Sequence, residues 1–214
     1  MDLSLSHTKE ALIKNNMNAL VVKDEKEALA TIESLLSEGD TVACGGSVSL
    51  NECGIIEHLR SGRYNFIDRF KEGLSREETE KCFRDAFFAD VFLSSANAIT
   101  ENGEIYNVDG NGNRVAAILY GPKRVVIVAG KNKIVKDLRE AEIRVKAHAA
   151  PKNAVRLGKN TYCSKAGQCV SLGKGGMCDG CESEDRICCD YVILGKQREK
   201  GRITVILVDA PLGY

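Results

Sequence analysis

Apolar side chains along this chain repeat with two periods, and the alternation between them sets the first expectation. Residues 5–16 have helical spacing, and residues 18–22, Asn-Ala-Leu-Val-Val, have the character of a short strand. Asp24 and Glu27 stand at capping-box spacing, in which each side chain satisfies a free backbone N–H at a helix start. Ala28, Leu29, Ile32, Leu35 and Leu36 then recur on one helical face, with Gly39 placed to end the helix in a left-handed turn. Residues 41–44 form a buried strand that runs into Gly45-Gly46-Ser47, and a helix is predicted over about 50–59. Ser75 and Glu78 repeat the capping-box spacing ahead of a helix with Phe83, Ala86 and Phe87 on one face. Residues 89–95 read as a strand, and Glu101-Asn-Gly-Glu104 between Ala98-Ile99 and Ile105-Tyr106 predicts a hairpin. Residues 111–120 are helical and 124–129 a β-branched buried strand. Ile134, Leu138, Ala141 and Val145 mark one face of a helix ending near Pro151, and residues 202–208 are the last strand.

Strands alternating with helices predict an α/β fold, a three-layer Rossmann-like arrangement with a parallel or mixed sheet covered on both faces. No internal repeat or long low-complexity linker divides the chain. Residues 1–214 therefore read as one α/β domain, with 160–190 as a C-terminal cysteine-rich insertion. In such sheets ligands bind beyond the carboxyl ends of strands, near a change in strand order. That rule directs attention to the loops after residues 44, 95 and 130.

Composition narrows the partners. Lys+Arg and Asp+Glu are 30 each, so the formal net charge is zero and no basic excess supports nucleic-acid or anionic-membrane binding. Hydrophobic residues make up 43%, enough for a packed core. The longest apolar stretch, residues 125–130, is far too short for a membrane span, and the N-terminal residues carry no apolar signal-peptide core. These features predict a cytoplasmic protein, and they leave oligomerisation open.

Three loops carry candidate chemistry. Gly45, Gly46 and Ser47 sit where a strand hands over to a helix, a place where free N–H groups favour anions, although Ser47 could equally serve as a helix cap. The run is neither a dinucleotide fingerprint nor a P-loop, and no motif names an organic cofactor. Glu52, one turn into that helix, could face the same pocket or simply favour the helix start. Residues 94–114 form the densest polar segment, with Asn97, Asn107, Asp109, Asn111 and Asn113 offering amide or carboxylate groups. There Arg114 offers a two-pronged grip on a carboxylate or phosphate. Each Asn taken singly is also a favoured turn residue. Asn132 and Lys133 follow the next strand. Together these residues predict a polar pocket for a small anionic metabolite, with Asp109 as general base and Lys133 as stabiliser of an oxyanion. His7, His58 and His148 have no catalytic spacing, and no nucleophile elbow or His-Glu-x-x-His motif occurs.

Six of the nine cysteines fall late in the chain, as Cys163-x5-Cys169-x8-Cys178-x2-Cys181-x6-Cys188-Cys189. A C-x2-C pair places two thiolates around one ion, and two more complete a zinc site or hold an iron–sulfur cluster. The spacing matches neither a zinc ribbon nor a bacterial ferredoxin, so it predicts a metal without choosing between zinc and iron–sulfur. Residues 173–176, Gly-Lys-Gly-Gly, would let the segment fold back to gather its thiols. Cys44, Cys53 and Cys82 lie in predicted elements and read as small core residues.

Residues 44–50 (Cys-Gly-Gly-Ser-Val-Ser-Leu), Asp68-Arg69, residues 89–100, residues 104–123, residues 130–133 and the closing Leu212-Gly213-Tyr214 resemble the LUD-domain, or lactate-utilisation, family. The resemblance covers nearly the whole chain. It implies a fold similar to the ribose-5-phosphate isomerase, glucosamine-6-phosphate deaminase and CoA-transferase group, with the glycine loop and the asparagine-rich loop meeting at one pocket. Related chains carry a compact C-x5-C-x2-C-x6-C cluster. Residues 170–177 read as an insertion into it, which makes Cys163, Cys178, Cys181 and Cys188 the implied metal ligands and leaves Cys169 and Cys189 unassigned. The family's link to lactate oxidation implies a component of lactate or related carboxylate metabolism, with an iron–sulfur redox protein as a partner. Two other functions fit the same residues: a sugar-phosphate isomerase-like or acyl-transfer enzyme, and a metal-containing redox or docking module.

Overall fold

The period-2 apolar runs become the middle layer of the molecule. In the computed structural model, which describes residues 3–214, the chain runs α1 (Leu3–Lys14), β1 (Asn18–Val22), α2 (Glu25–Leu35), β2 (Thr41–Cys44), α3 (Val48–Glu52), α4 (Ile55–Leu59) and β3 (Asn65–Ile67). It continues through α5 (Arg76–Asp85), β4 (Val91–Ser94), β5 (Ala98–Thr100), β6 (Ile105–Asp109), α6 (Asn113–Tyr120) and β7 (Arg124–Gly130). It then forms β8 (Ile134–Val135), α7 (Leu138–Arg144), α8 (Ala150–Arg156), α9 (Tyr162–Ala166), β9 (Asp190–Leu194) and β10 (Ile203–Val208).

Six strands pair in the order β1-β10-β7-β4-β2-β3, all parallel. Alternation along β7 shows how the layers are assigned. Val125, Ile127 and Ala129 pack with Leu5 and Leu12 of α1 and Ala117 and Ile118 of α6. Val126 and Val128 pack on the other face with Ala28 and Ile32 of α2, Leu50 of α3 and Ile55 and Leu59 of α4. Helices therefore cover both faces, which is the three-layer Rossmann-like arrangement. A smaller mixed sheet, β8-β5-β6-β9, is built on the predicted hairpin, with β5 and β6 antiparallel and β5 and β8 parallel. Its Ala98, Tyr106 and Val108 pack on Ala141, Val145 and Ala150. Among the described residues no helix is long and apolar enough to cross a membrane.

Several local expectations change. Ser75 and Glu78 do form a reciprocal capping box, but Asp24 and Glu27 form only half of one. The Glu27 carboxylate accepts from Lys23 N–H, one residue before the cap. Gly39 has φ +84° but lies beyond the helix end, where α2 stops in extended backbone at Leu36. The helix expected over 50–59 is two short helices, because Gly54 turns left-handed at φ +69° between them. Ile134 belongs to β8, not to the helix that follows. That helix also continues past Pro151 to Arg156, with a π turn at Val145–Ala149 just before the proline. The wider turn accommodates a residue that lacks an N–H and crowds the preceding carbonyls.

Candidate functional site

Parallel strands put their carboxyl ends on one edge, and the loops after β2, β4 and β7 meet there. From β2 the chain steps outward to β3, then returns to β4 on the other side, so the strand order reverses at β2 and β4. Beside that reversal lies a cleft of about 440 Å³. Its walls include Gly46 and Ser47 after β2, Ser95 and Asn97 after β4, Asp109 at the end of β6, Asn113 and Arg114 at the start of α6, and Lys133 after β7. Four of the predicted residues, Gly45, Glu52, Asn107 and Asn132, stand outside its lining. Gly45 packs against Arg114, where an added Cβ would meet the Arg114 stem at 2.8 Å. Glu52 and Asn132 instead hold the Leu212–Gly213 segment. Glu52 accepts from Gly213 N–H at 2.6 Å, and Asn132 Oδ1 accepts from Leu212 N–H at 2.9 Å.

Arg114 is the hub of this arrangement. Its Nε donates to Asp109 Oδ1 at 2.9 Å, and its Nη1 donates to Ser95 O at 3.0 Å and Asn107 Oδ1 at 2.6 Å. Its Nη2 donates to Asn97 Oδ1 at 3.0 Å and Val108 O at 3.2 Å, and lies 2.6 Å from Asp109 Oδ1. All five guanidinium N–H groups thus have protein acceptors. Asp109 is equally engaged, since its Oδ2 accepts from Val115 N–H at 3.0 Å. The pair expected to grip a ligand and abstract a proton instead fastens β4, β6 and α6 together. Asn107 is wholly buried, and its Nδ2 has no partner among the described residues.

Lys133 is 4% exposed, and its Nζ donates to Ser49 Oγ at 2.9 Å and Ser95 Oγ at 3.0 Å. Burial, reinforced by the Arg144 and Arg114 cations, lowers its ammonium from 10.5 to about 7. Arg144 braces the same corner, with Nε on Asn132 O and Nη1 on Asn97 O.

Arg69 was legible only as part of the Asp68-Arg69 pair. It lines the cleft with its guanidinium 4.4 Å from the Phe83 ring centroid and 5.2 Å from that of Phe70. Its side chain has no hydrogen bond or ion pair among the described residues, and its Nε is buried without a partner. Asn113 also has no side-chain hydrogen bond among them. Arg156, Lys159 and Arg186 complete a wall of six basic residues with Arg69, Arg114 and Lys133, against Asp109, Glu184 and Asp185. Lys159 is matched by Asp185 at 3.4 Å, and Arg156 donates to Tyr214 Oη at 2.7 Å. The histidines stand away from the cleft walls, and His58 bonds Tyr64 and Glu33.

A second, narrower cavity of about 20 Å³ lies behind one wall of the cleft, and Arg186 and Ile187 line both. Cys163, Cys169, Cys181 and Cys188 all line it, as does Tyr106, whose buried hydroxyl has no partner. Cys178, expected among the ligands, is exposed and outside this lining. The segment is braced by Arg186, which donates to the carbonyls of Cys178, Cys181 and Cys188. Burial pushes the Cys188 thiol up to about 12, helped by the neighbouring Cys163 and Cys169. Among the described residues no three His, Cys, Asp or Glu side chains are already drawn together as a metal site. Cys44 and Cys53 are buried in the core, and Cys82 is partly buried.

The LUD-domain family profile matches residues 5–208. Among solved structures, a DUF162 family protein from Deinococcus radiodurans is similar in fold, with a TM-score of 0.52 at 13% identity, covering 96% of this chain and 95% of that one. No curated protein matches the chain. A family match over nearly the whole length, on a three-layer fold with its polar cleft at the strand reversal, leads to one assignment: the chain belongs to the LUD-domain, or lactate-utilisation, family.

Proposed function

We propose that the cleft binds a small organic anion, a 2-hydroxy or 2-keto carboxylate of lactate-related metabolism, with Arg69 as its anchor. The observation that carries this reading is the Arg69 guanidinium on the cleft wall, held by two aromatic rings and paired with no acid among the described residues. A guanidinium with free donors fits a carboxylate through two parallel hydrogen bonds. Asn113 adds an amide without a hydrogen bond among the described residues, and Gly46 lines the cleft with no side chain. Arg114 and Asp109 act here as the frame that fixes the loops, and Ser47 caps α3 through Leu50 N–H at 3.2 Å.

A thermal-shift panel with lactate, pyruvate, ribose 5-phosphate and acetyl-CoA tests the reading, because a ligand that binds only the folded chain raises Tm. Lactate and pyruvate are expected to raise Tm, and Arg69→Ala to abolish the shift. A response confined to ribose 5-phosphate would support the isomerase-like function instead, and one confined to acetyl-CoA the acyl-transfer function.

The cysteine cavity favours a second component of the function. Four thiols lining one cavity, though not drawn together as a site among the described residues, are a soft donor set that suits zinc or an iron–sulfur cluster in type and number. Cys163, Cys169, Cys181 and Cys188 would hold it, a set spaced C-x5-C-x11-C-x6-C. Zinc would supply a structural clasp, and a cluster one-electron transfer to a redox partner protein. Thr161 Oγ1 at 3.3 Å from Cys163 Sγ and Ser171 Oγ at 3.4 Å from Cys169 Sγ would tune the two sulfurs they touch. Elemental analysis of protein purified without oxygen should find zinc, or iron with acid-labile sulfide. Cys169→Ser should lower that content and Cys178→Ser should leave it; the reverse pattern would return Cys178 to the ligand set.

A further inference from the structure

The carboxylate reading above leaves the buried amine of Lys133 in the cleft unused. We infer that Lys133 is a nucleophile that forms an imine with the carbonyl of a 2-keto acid held in the cleft. The inference rests on that reading for the ligand, and on separate geometry for the chemistry.

An amine without a charge has two N–H groups and one lone pair. Lys133 Nζ sends its hydrogen bonds to Ser49 Oγ and Ser95 Oγ, at 2.9 and 3.0 Å. With both N–H groups so spent, the lone pair is left over for the cleft that Lys133 lines. Among the described residues no carboxylate is hydrogen-bonded or ion-paired to this Nζ. The Arg144 and Arg114 cations disfavour a further positive charge there, and the Glu52 carboxylate opposes them. Depletion of water and neighbouring cations are the two conditions that make a lysine amine reactive near neutral pH.

The Leu212–Gly213 segment seals the rear of this group. Gly213 stands at φ +56°, and an added Cβ there would lie 2.8 Å from Ser49 Oγ and 3.4 Å from Lys133 Nζ. Glu52, which stands outside the cleft lining, holds that segment in place through Gly213 N–H. The segment thus packs against the amine on one side, and Lys133 lines the cleft together with Ser95 and Asn97.

The step balances without an oxidant. The Nζ lone pair attacks the keto carbon, forming a C–N bond while the C=O π pair moves to oxygen. Ser95 Oγ gives its proton to that oxygen and recovers one from the nitrogen, leaving a neutral carbinolamine. The nitrogen lone pair then expels the hydroxyl, which leaves as water with a proton returned through Ser95, and the C=N bond remains. One amine and one ketone become one imine and one water. A 2-hydroxy acid has no carbonyl and is held without reacting.

The test is reductive trapping. Wild-type chain is incubated with pyruvate and sodium cyanoborohydride near neutral pH, digested and mapped by mass spectrometry, with the pyruvate thermal shift recorded on the same preparation. The expected result is one predominant reduced adduct on Lys133, lost in Lys133→Met and absent when lactate replaces pyruvate. Ser95→Ala, which keeps the amine, should slow trapping about a hundredfold. Labelling spread over surface lysines and unchanged in Lys133→Met would overturn the inference. So would a pyruvate thermal shift with no adduct, which would leave the carboxylate reading standing. If neither shift nor adduct appears, the ligand reading fails with it.

Discussion

Arg114 binds three loops with one guanidinium, and removing it should therefore cost folding, not only binding. With its side chain about one-tenth exposed and Asp109 buried beneath it, truncation leaves an unmatched carboxylate and the Asn107 carbonyl. Arg114→Ala is expected to lower unfolding free energy by about 3–5 kcal/mol in chemical denaturation. Arg69→Ala should cost far less, since it breaks no hydrogen bond among the described residues. Lys133 makes a pH prediction. The unfolded chain protonates this amine near 10.5 and the folded chain near 7, so between those values the unfolded chain binds the extra proton. Its contribution to stability therefore rises with pH across that window, and the full penalty persists below about 7. Denaturation curves should show wild type gaining on Lys133→Met from about pH 7 towards pH 10; a constant difference would mean that the amine is charged throughout. Which residue types matter could be read from the sequence: Asn97, Asn113, Arg114 and Lys133 do line one cleft. Their division of labour could not, because whether an arginine is free or engaged depends on partners up to 19 residues away, such as Ser95 O.

Elements joined by glycine make sharper predictions than the helices themselves. Gly103, in the β5–β6 turn, has φ +79°, and a Cβ there would meet the Ala11 carbonyl carbon and the Leu12 nitrogen at 2.7 Å. Gly103→Ala should thus push α1 off the hairpin and cost about 3 kcal/mol. Gly62→Ala has a similar φ of +85° but open space, and should cost only about 1 kcal/mol. Equal costs in denaturation would remove the close approach as the cause. The hairpin and the buried strands were legible because period and turn chemistry act locally. Strands β3, β8 and β9 were not: each is short, and β8 and β9 exist only through pairing with β5 and β6. The helix through Pro151 escaped the same reasoning, since the π turn that admits the proline has no sequence signature of its own.

Across the molecule, the polar residues of the chain gather where the sheet reverses order. The cleft lies at the carboxyl ends of β2, β4 and β7, and Arg186 and Ile187 separate it from the cysteine cavity. The neutral total charge concealed this arrangement, because six basic side chains face three acidic ones only once the chain is folded. The central claim is that Arg69 anchors a small carboxylate in that cleft. Calorimetric titration of pyruvate into wild type and Arg69→Ala tests it most directly. Saturable binding to wild type, weakened at least about tenfold in the variant, is the expected result. Equal affinity in the two proteins, or no saturable binding to wild type, would contradict it.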